Sequence, residues 1–316
     1  MQFFTIILLL GHVLAAPLKS IDGTTVTSQQ YADLVRNARF AAAAYTDQCS
    51  RPPNGAVLVQ EIVDPLTDTQ GYVARADDTK EIIVALRGSS SVVDFLTDAE
   101  TSLVPCSSPG VPYPSPARCH SGFQDSWNAV QPKFLEAVTQ QVQSHPGYTI
   151  TVVGHSLGGG LASQAALSMV YNLPGSVITG FSFGQPRTGD VNYANFHDAA
   201  LTLRQGQPSF HRSVHTTDGV PQVIRQGSTG SPVSTLAGLV LLPNNPWATT
   251  GYRHHGTEVW QYVDPASQMG TVQCAGQEDA TCQDSVYIFA PLFGINLEHT
   301  RYYGVDFANT GPQCAG

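Results

Sequence analysis

The chain reads as an α/β protein with a mostly parallel central sheet covered by helices on both faces. Three observations predict this. Strand-like and helix-like segments alternate through the middle of the chain, the pattern of sheet strands joined by helical crossovers. The segments EIIVAL (residues 81–86) and YTITVV (148–153) are apolar and rich in β-branched residues, as buried strands are. Composition is globular: of 316 residues, 42% are hydrophobic and 12% charged. No internal repeat, low-complexity linker or charge block marks a boundary, so residues 17–316 are expected to form one domain.

The elements follow in order. Residues 1–16, MQFFTIILLLGHVLAA, have an apolar core too short to span a bilayer, followed by the small residues Ala15 and Ala16. This predicts a secretory signal, although the first residues carry no Lys or Arg. Residues 29–45 are alanine-rich with helical apolar spacing and predict a first helix. Residues 71–76 and 80–86 predict a hairpin. Between Ser121 and Ser144, Phe123, Trp127, Val130, Phe134, Leu135, Val138 and Val142 recur at helical spacing and predict a long amphipathic helix. A buried strand at 148–153 and a small-residue helix at 157–171 come next. Two further strands are expected at 176–183 and 209–216.

Charge narrows the partners. Lys and Arg total 15 against 24 acids, a formal net charge of −9. With no basic stripe, nucleic acid is not an expected partner, and an acidic surface favours uncharged substrates over anionic membranes. No later segment is long and apolar enough for a transmembrane helix, so no membrane anchoring is expected. Six cysteines in an exported chain predict three disulfides. Local closure suggests Cys106–Cys119 and Cys274–Cys282, leaving Cys49 to pair with Cys314. No CxxC pair appears, so no metal site is expected. No Asn-x-Ser/Thr sequon is present.

Residues 152–160, VVGHSLGGG, place Ser156 between Gly154 and Gly158, after a predicted strand and before a predicted helix. A tight strand–turn–helix needs small neighbours around its central residue, and this context gives G-x-S-x-G its chemical meaning. On such a turn the hydroxyl stands clear of the sheet, and the first N–H groups of the next helix point toward a developing oxyanion. A glycine-rich turn without chemistry is the bland alternative. It is weighed by asking whether the chain supplies a base and an orienting acid.

Ten histidines are present. His155 adjoins the serine, but its side chain would point away from the hydroxyl, which makes it a packing residue. Asp218 lies just past the strand of 209–216, on the sheet edge where sites form in α/β proteins. Alone, it could equally be an ordinary turn aspartate before glycine. His299 follows a long irregular segment, and serine, acid and histidine then occur in the chain order of hydrolases with a nucleophile turn. His254 and His255 remain rival bases on spacing alone.

Four motifs now stand in order: LRGSSS (86–91), VVGHSLGGG, HTTDGVP (215–221) and EHTRYYG (298–304). Together they resemble the secreted fungal class 3 lipases, a family that also holds type A feruloyl esterases. The similarity runs from residue 40 to the C-terminus. It implies an α/β-hydrolase fold with a short helical lid, no cofactor, and a triad of Ser156, Asp218 and His299. The family often has a non-catalytic histidine before its Glu-x-Trp segment, which makes His254 and His255 structural or groove-lining. The resemblance also implies an oxyanion hole from Ser89, through backbone and hydroxyl, and the N–H of Leu157.

Residues 91–103 follow the oxyanion motif directly. Val92, Phe95, Leu96, Ala99 and Leu103 fall on one side of a helix, with Asp94, Thr97, Asp98 and Thr101 mostly on the other. A fixed surface helix would give the same pattern; the family position makes it the expected lid, able to turn an apolar face to an oil–water interface. Two departures from the shorter family pattern stand out. One is an insertion after Asp218 containing LAGLVLL (236–242), and the other is the apolar VYIFAPLF (286–293) before His299. Both could wall an acyl groove or pack in the core. The expected function is hydrolysis of acylglycerol esters by an exported enzyme. A feruloyl or other carbohydrate-ester esterase with the same triad is the alternative, because the Cys274–Cys282 loop is similar to that side of the family. A catalytically silent lipid-binding protein is the third reading.

Overall fold

The computed structural model describes residues 21–88, 102–203, 209–222, 234–236, 239–242, 251–286, 288–291 and 297–314. The signal-like segment 1–16 and the lid residues Val92, Phe95, Leu96 and Ala99 lie outside them, as does Ser89.

A nine-stranded sheet organises the molecule. Its strands are β1 (Thr24–Thr25), β2 (Val57–Asp64), β3 (Thr69–Ala76), β4 (Glu81–Leu86), β5 (Thr149–His155), β6 (Ile178–Phe183), β7 (Phe210–His215), β8 (Glu258–Gln261) and β9 (Thr271–Gln273). Their order is β1-β9-β8-β7-β6-β5-β4-β3-β2. The five strands β4 to β8 run parallel, while β2, β3, β9 and β1 pair antiparallel at the two edges. Parallel strands need crossovers. These are helical for the middle strands: α2 (Ser121–Ser144) leads into β5, α3 (Leu157–Asn172) joins β5 to β6, and α4 (Val191–Leu203) precedes β7.

The apolar run EIIVAL is explained by two-sided burial. Ile82, Val84 and Leu86 enter one core with Trp127 and Phe134 of α2 and Leu161 of α3. Ile83 and Ala85 enter a second core with α1 (Ser28–Ala43) and the C-terminal Tyr302, Tyr303 and Phe307. Fully burying each such aliphatic side chain stabilises the fold by about 1.5–3 kcal/mol. Helix α1 starts on a capping box, with Thr27 Oγ1 accepting the Gln30 N–H at 3.2 Å and Gln30 Oε1 accepting the Thr27 N–H at 2.8 Å. Its alanine run lets the helix lie close on the sheet, where Tyr72 donates to the Phe40 carbonyl at 2.8 Å.

All three expected disulfides form: Cys49–Cys314, Cys106–Cys119 and Cys274–Cys282. The first ties the segment after α1 to the chain end and so holds the C-terminal segment against the α1 face. One element departs from expectation: Leu103 does not end the lid helix but opens a strand, Leu103–Pro105, paired with Arg118–His120. The Cys106–Cys119 bridge adjoins that pairing and favours extended backbone. The two apolar insertions also prove to be partners. Leu239–Leu242 pairs antiparallel with Ser234–Leu236 on one side and with Ile288–Pro291 on the other. They build one small three-stranded sheet from the loops that lead out of Asp218 and into His299.

Candidate active site

Ser156 sits between the end of β5 and the start of α3, with φ 60° and ψ −128°. A non-glycine residue in this region is strained, at a cost of about 1–3 kcal/mol, and persists because its surroundings hold it. The flanking glycines are a steric necessity. A Cβ on Gly154 would lie 2.0 Å from the Gly158 carbonyl oxygen, and one on Gly158 would lie 2.3 Å from that of Leu86. The Ser156 N–H donates to the Phe183 carbonyl at 2.8 Å, and its own carbonyl accepts the Gly159 N–H at 2.9 Å. The turn is therefore pinned to β6 and to the new helix. Leu157 is the first residue of α3, where a helix leaves its N–H groups without intrahelical partners.

Asp218 follows β7 by three residues and His299 lies in the turn Leu297–Thr300. The structure brings them together: His299 Nδ1 is 2.9 Å from Asp218 Oδ2 and 3.1 Å from Oδ1. Both residues are buried, as is Ser156. Among the described residues, Ser156 Oγ and His299 Nε2 have no hydrogen-bond partner. A buried hydroxyl and a buried ring nitrogen left unpaired each cost about 1–3 kcal/mol, so the fold retains them against stability.

Asp218 has three further tethers, two on its carboxylate and one on its main chain. The Val220 N–H donates to Oδ1 at 2.9 Å, the Tyr302 hydroxyl donates to Oδ2, and the Gln283 side-chain amide donates to the Asp218 main-chain oxygen at 2.7 Å. Burial pushes this carboxyl up. The His299 charge, its hydrogen bond and those from Tyr302 and Val220 more than offset burial and hold it below the usual aspartate range. Gly184, at φ +59°, gives the pair room, since a Cβ there would lie 2.8 Å from Asp218 Oδ2 and from the His299 ring.

His155 turns away from the serine hydroxyl, as expected, but does more than pack. Its Nε2 donates to the His299 carbonyl at 2.8 Å, and its Nδ1 accepts from the Tyr45 hydroxyl at 2.7 Å. Burial first, then the nearby His299 charge, keep it well below the ordinary histidine range and hence neutral. His254 and His255 are both buried away from the pair. His254 Nε2 bonds the Pro221 carbonyl at 2.7 Å, and His255 lies between Gln185 and the Gly256 carbonyl. Tyr302, Gln283, His155 and Gly184 were not singled out by sequence as site residues. Two of them left a signal: Tyr302 lies three residues after His299, and His155 adjoins Ser156.

One cluster could in principle hold a metal: the donor atoms of His197, Asp198 and His255 lie within 4.8 Å of one another. His255 has no lone pair to offer, because its Nδ1–H donates to the Gly256 carbonyl at 3.0 Å and its Nε2 accepts from Gln185 at 2.8 Å. A second group, Glu258 with Cys274 and Cys282, has its thiols committed to a disulfide. Neither set fits a metal, and no chemical step is routed through one.

The geometry finds close parallels. A family model described as "Lipase (class 3)" matches residues 83–227. A secreted alkaline triacylglycerol lipase of Penicillium cyclopium is 28% identical over 303 residues, covering 96% of this chain and 94% of the relative. A lipase of Rhizomucor miehei is 32% identical over 310 residues, covering 92% of this chain and 73% of the relative. Among solved structures, a triacylglycerol lipase from Penicillium expansum superposes with a TM-score of 0.74 at 26% identity, covering 91% of this chain and 98% of that one.

Proposed function

The chain belongs to the class 3 lipase family, with the α/β-hydrolase fold, and on that premise we propose that it is an exported serine hydrolase of acylglycerol esters. The observation that carries the reading is the pair of buried, unpartnered atoms, Ser156 Oγ and His299 Nε2, with His299 Nδ1 held on Asp218. Relatives named as a secreted triacylglycerol lipase and as a lipase support the substrate class and export. No helix among the described residues is long and apolar enough to cross a membrane.

Chemistry follows from the donors and acceptors. Ser156 Oγ attacks the ester carbonyl carbon while His299 Nε2 takes its proton. The new imidazolium is stabilised by Asp218, whose carboxylate stays ionised. The carbonyl oxygen becomes an oxyanion held by the Leu157 N–H at the start of α3 and by Ser89. His299 then gives its proton to the leaving glycerol oxygen, which leaves an acyl-Ser156 ester. Water, activated by the same histidine, repeats the sequence and releases the fatty acid. Protein groups and water supply every step.

Purified Ser156→Ala is expected to lose ester hydrolysis while folding normally; retained activity would sink the assignment. A panel of mono-, di- and triacylglycerols beside methyl ferulate identifies the ester class. Preference for methyl ferulate would favour the carbohydrate-ester reading. Failure of the unmodified protein to react with a serine-directed phosphonate would favour a silent lipid binder. A rate jump at an oil–water boundary is expected if residues 91–103 act as a lid.

A further inference from the structure

The turn that carries Asp218 is held in a conformation it would not keep alone. Thr216, a β-branched residue two positions before Asp218, has φ +38°. That region is a backbone outlier for a β-branched side chain, and the hydroxyl of Thr216 is buried with no partner among the described residues. Two side chains from outside oppose its relaxation. Trp260 on β8 donates its indole N–H to the Thr216 carbonyl at 3.0 Å, and Gln283 donates its amide to the Asp218 carbonyl at 2.7 Å.

Gln283 is itself anchored. Its Oε1 accepts from Gln222 at 3.1 Å, and its N–H donates to Glu258 at 3.2 Å. Glu258 is paired with the buried Arg212 at 2.9 Å. Cys282 immediately precedes Gln283 and is bonded to Cys274, whose N–H donates to the Glu258 carbonyl at 2.9 Å. Resting on the hydrolase reading above, we propose that Gln283 is a positioning residue for the acid, and that the Cys274–Cys282 disulfide bears on ester cleavage through it. The bridge ties Cys282, the residue before Gln283, to the end of β9, and the amide fixes the Asp218 carbonyl, which shares its Cα with the side chain that orients His299.

Gln283→Met keeps length and volume and removes the donor. With a water-soluble short-chain ester, kcat is expected to fall about threefold to tenfold with KM little changed, the scale of one lost hydrogen bond. The acid limb of kcat/KM shifts as well, a readout that a merely structural loss would leave in place. Paired Cys274→Ser/Cys282→Ser is expected to show the same limb shift, and combining it with Gln283→Met to add little further loss. A folded Gln283→Met with unchanged kcat and limb overturns the positioning role. Additive losses in the combined variant overturn the route through the disulfide. Both outcomes presuppose an active parent, so they are distinct from failure of the hydrolase reading, which an inert parent on the whole ester panel would signal.

Discussion

The Nε2 of His155 lies 2.8 Å from the main-chain oxygen of His299. The residue beside the turn serine thus supports the turn that carries His299, and the Tyr45 hydroxyl at 2.7 Å on Nδ1 sets the tautomer that can do so. His155→Phe keeps the ring stacked on Phe307, now 4.1 Å away, but leaves the His299 carbonyl unpaired. A stability loss of about 1–3 kcal/mol is expected, read from urea unfolding, together with a fall in kcat.

Tyr302 is expected to act as a neutral donor at every working pH, because burial and the Asp218 charge push its hydroxyl well above the usual tyrosine range. Tyr302→Phe removes one partner of the carboxylate without opening a cavity. A several-fold loss of kcat with a near-normal melting temperature is expected; an undiminished kcat would remove Tyr302 from the support of Asp218.

Gly184→Ala separates activity from folding. The added Cβ would press on the contact between Asp218 and His299, and the positive φ adds strain of its own. Ester hydrolysis is expected to drop far more steeply than thermal stability, measured on the same preparation.

Ser89→Ala tests the proposed oxyanion donor. Loss of one such donor raises the activation barrier by about 2.7–4 kcal/mol, a fall in kcat of about a hundredfold or more. The fold should be unaffected, and turnover equal to the parent would exclude Ser89 from the reaction.

Acid is expected to destabilise the protein already in the range where unfolded histidines take up protons. Burial holds His120 and His211 down to about 4, and burial also places His155 and His254 well below the ordinary value of 6.5. Their folded pKa values are depressed, so their stabilising contribution is complete above pH 6.5 and is lost as pH falls toward 4. The unfolded chain takes up protons there that the folded one refuses. Each such group steepens the decline by up to about 1.4 kcal/mol per pH unit. Asp218, held low, acts in the same direction at still lower pH. Urea midpoints measured from pH 8 to pH 4.5 should decline throughout the lower half; a flat profile would contradict buried, neutral histidines.

Periodicity and local closure made much of this molecule legible. Helix α2 runs from Ser121 to Ser144 as its apolar spacing requires, and two of the three disulfides follow the nearest-neighbour pairing, leaving Cys49 for Cys314. Strand β2 escaped notice because only Ile62 along it is buried, so its sequence does not alternate as a half-buried strand would. Strand β8 is four residues long, too short for a pattern. Ser156, Asp218 and His299 were visible because their types and order are chemical. Gln283 was not, since its partner lies 65 residues away and no motif includes it; His155 was legible only as a packing residue, since its partner lies 144 residues away.

The small sheet of Leu239–Leu242 and Ile288–Pro291 has a practical bearing on redesign. Its strands come from separate inserts, one after Asp218 and one before His299; Ile288–Pro291 pairs on Leu239–Leu242, which pairs on its other edge with Ser234–Leu236 of its own insert. They form a single module with two attachment points. Removing either insert would leave the facing edge of the other with unpaired backbone, so any exchange of these segments has to transplant both halves together.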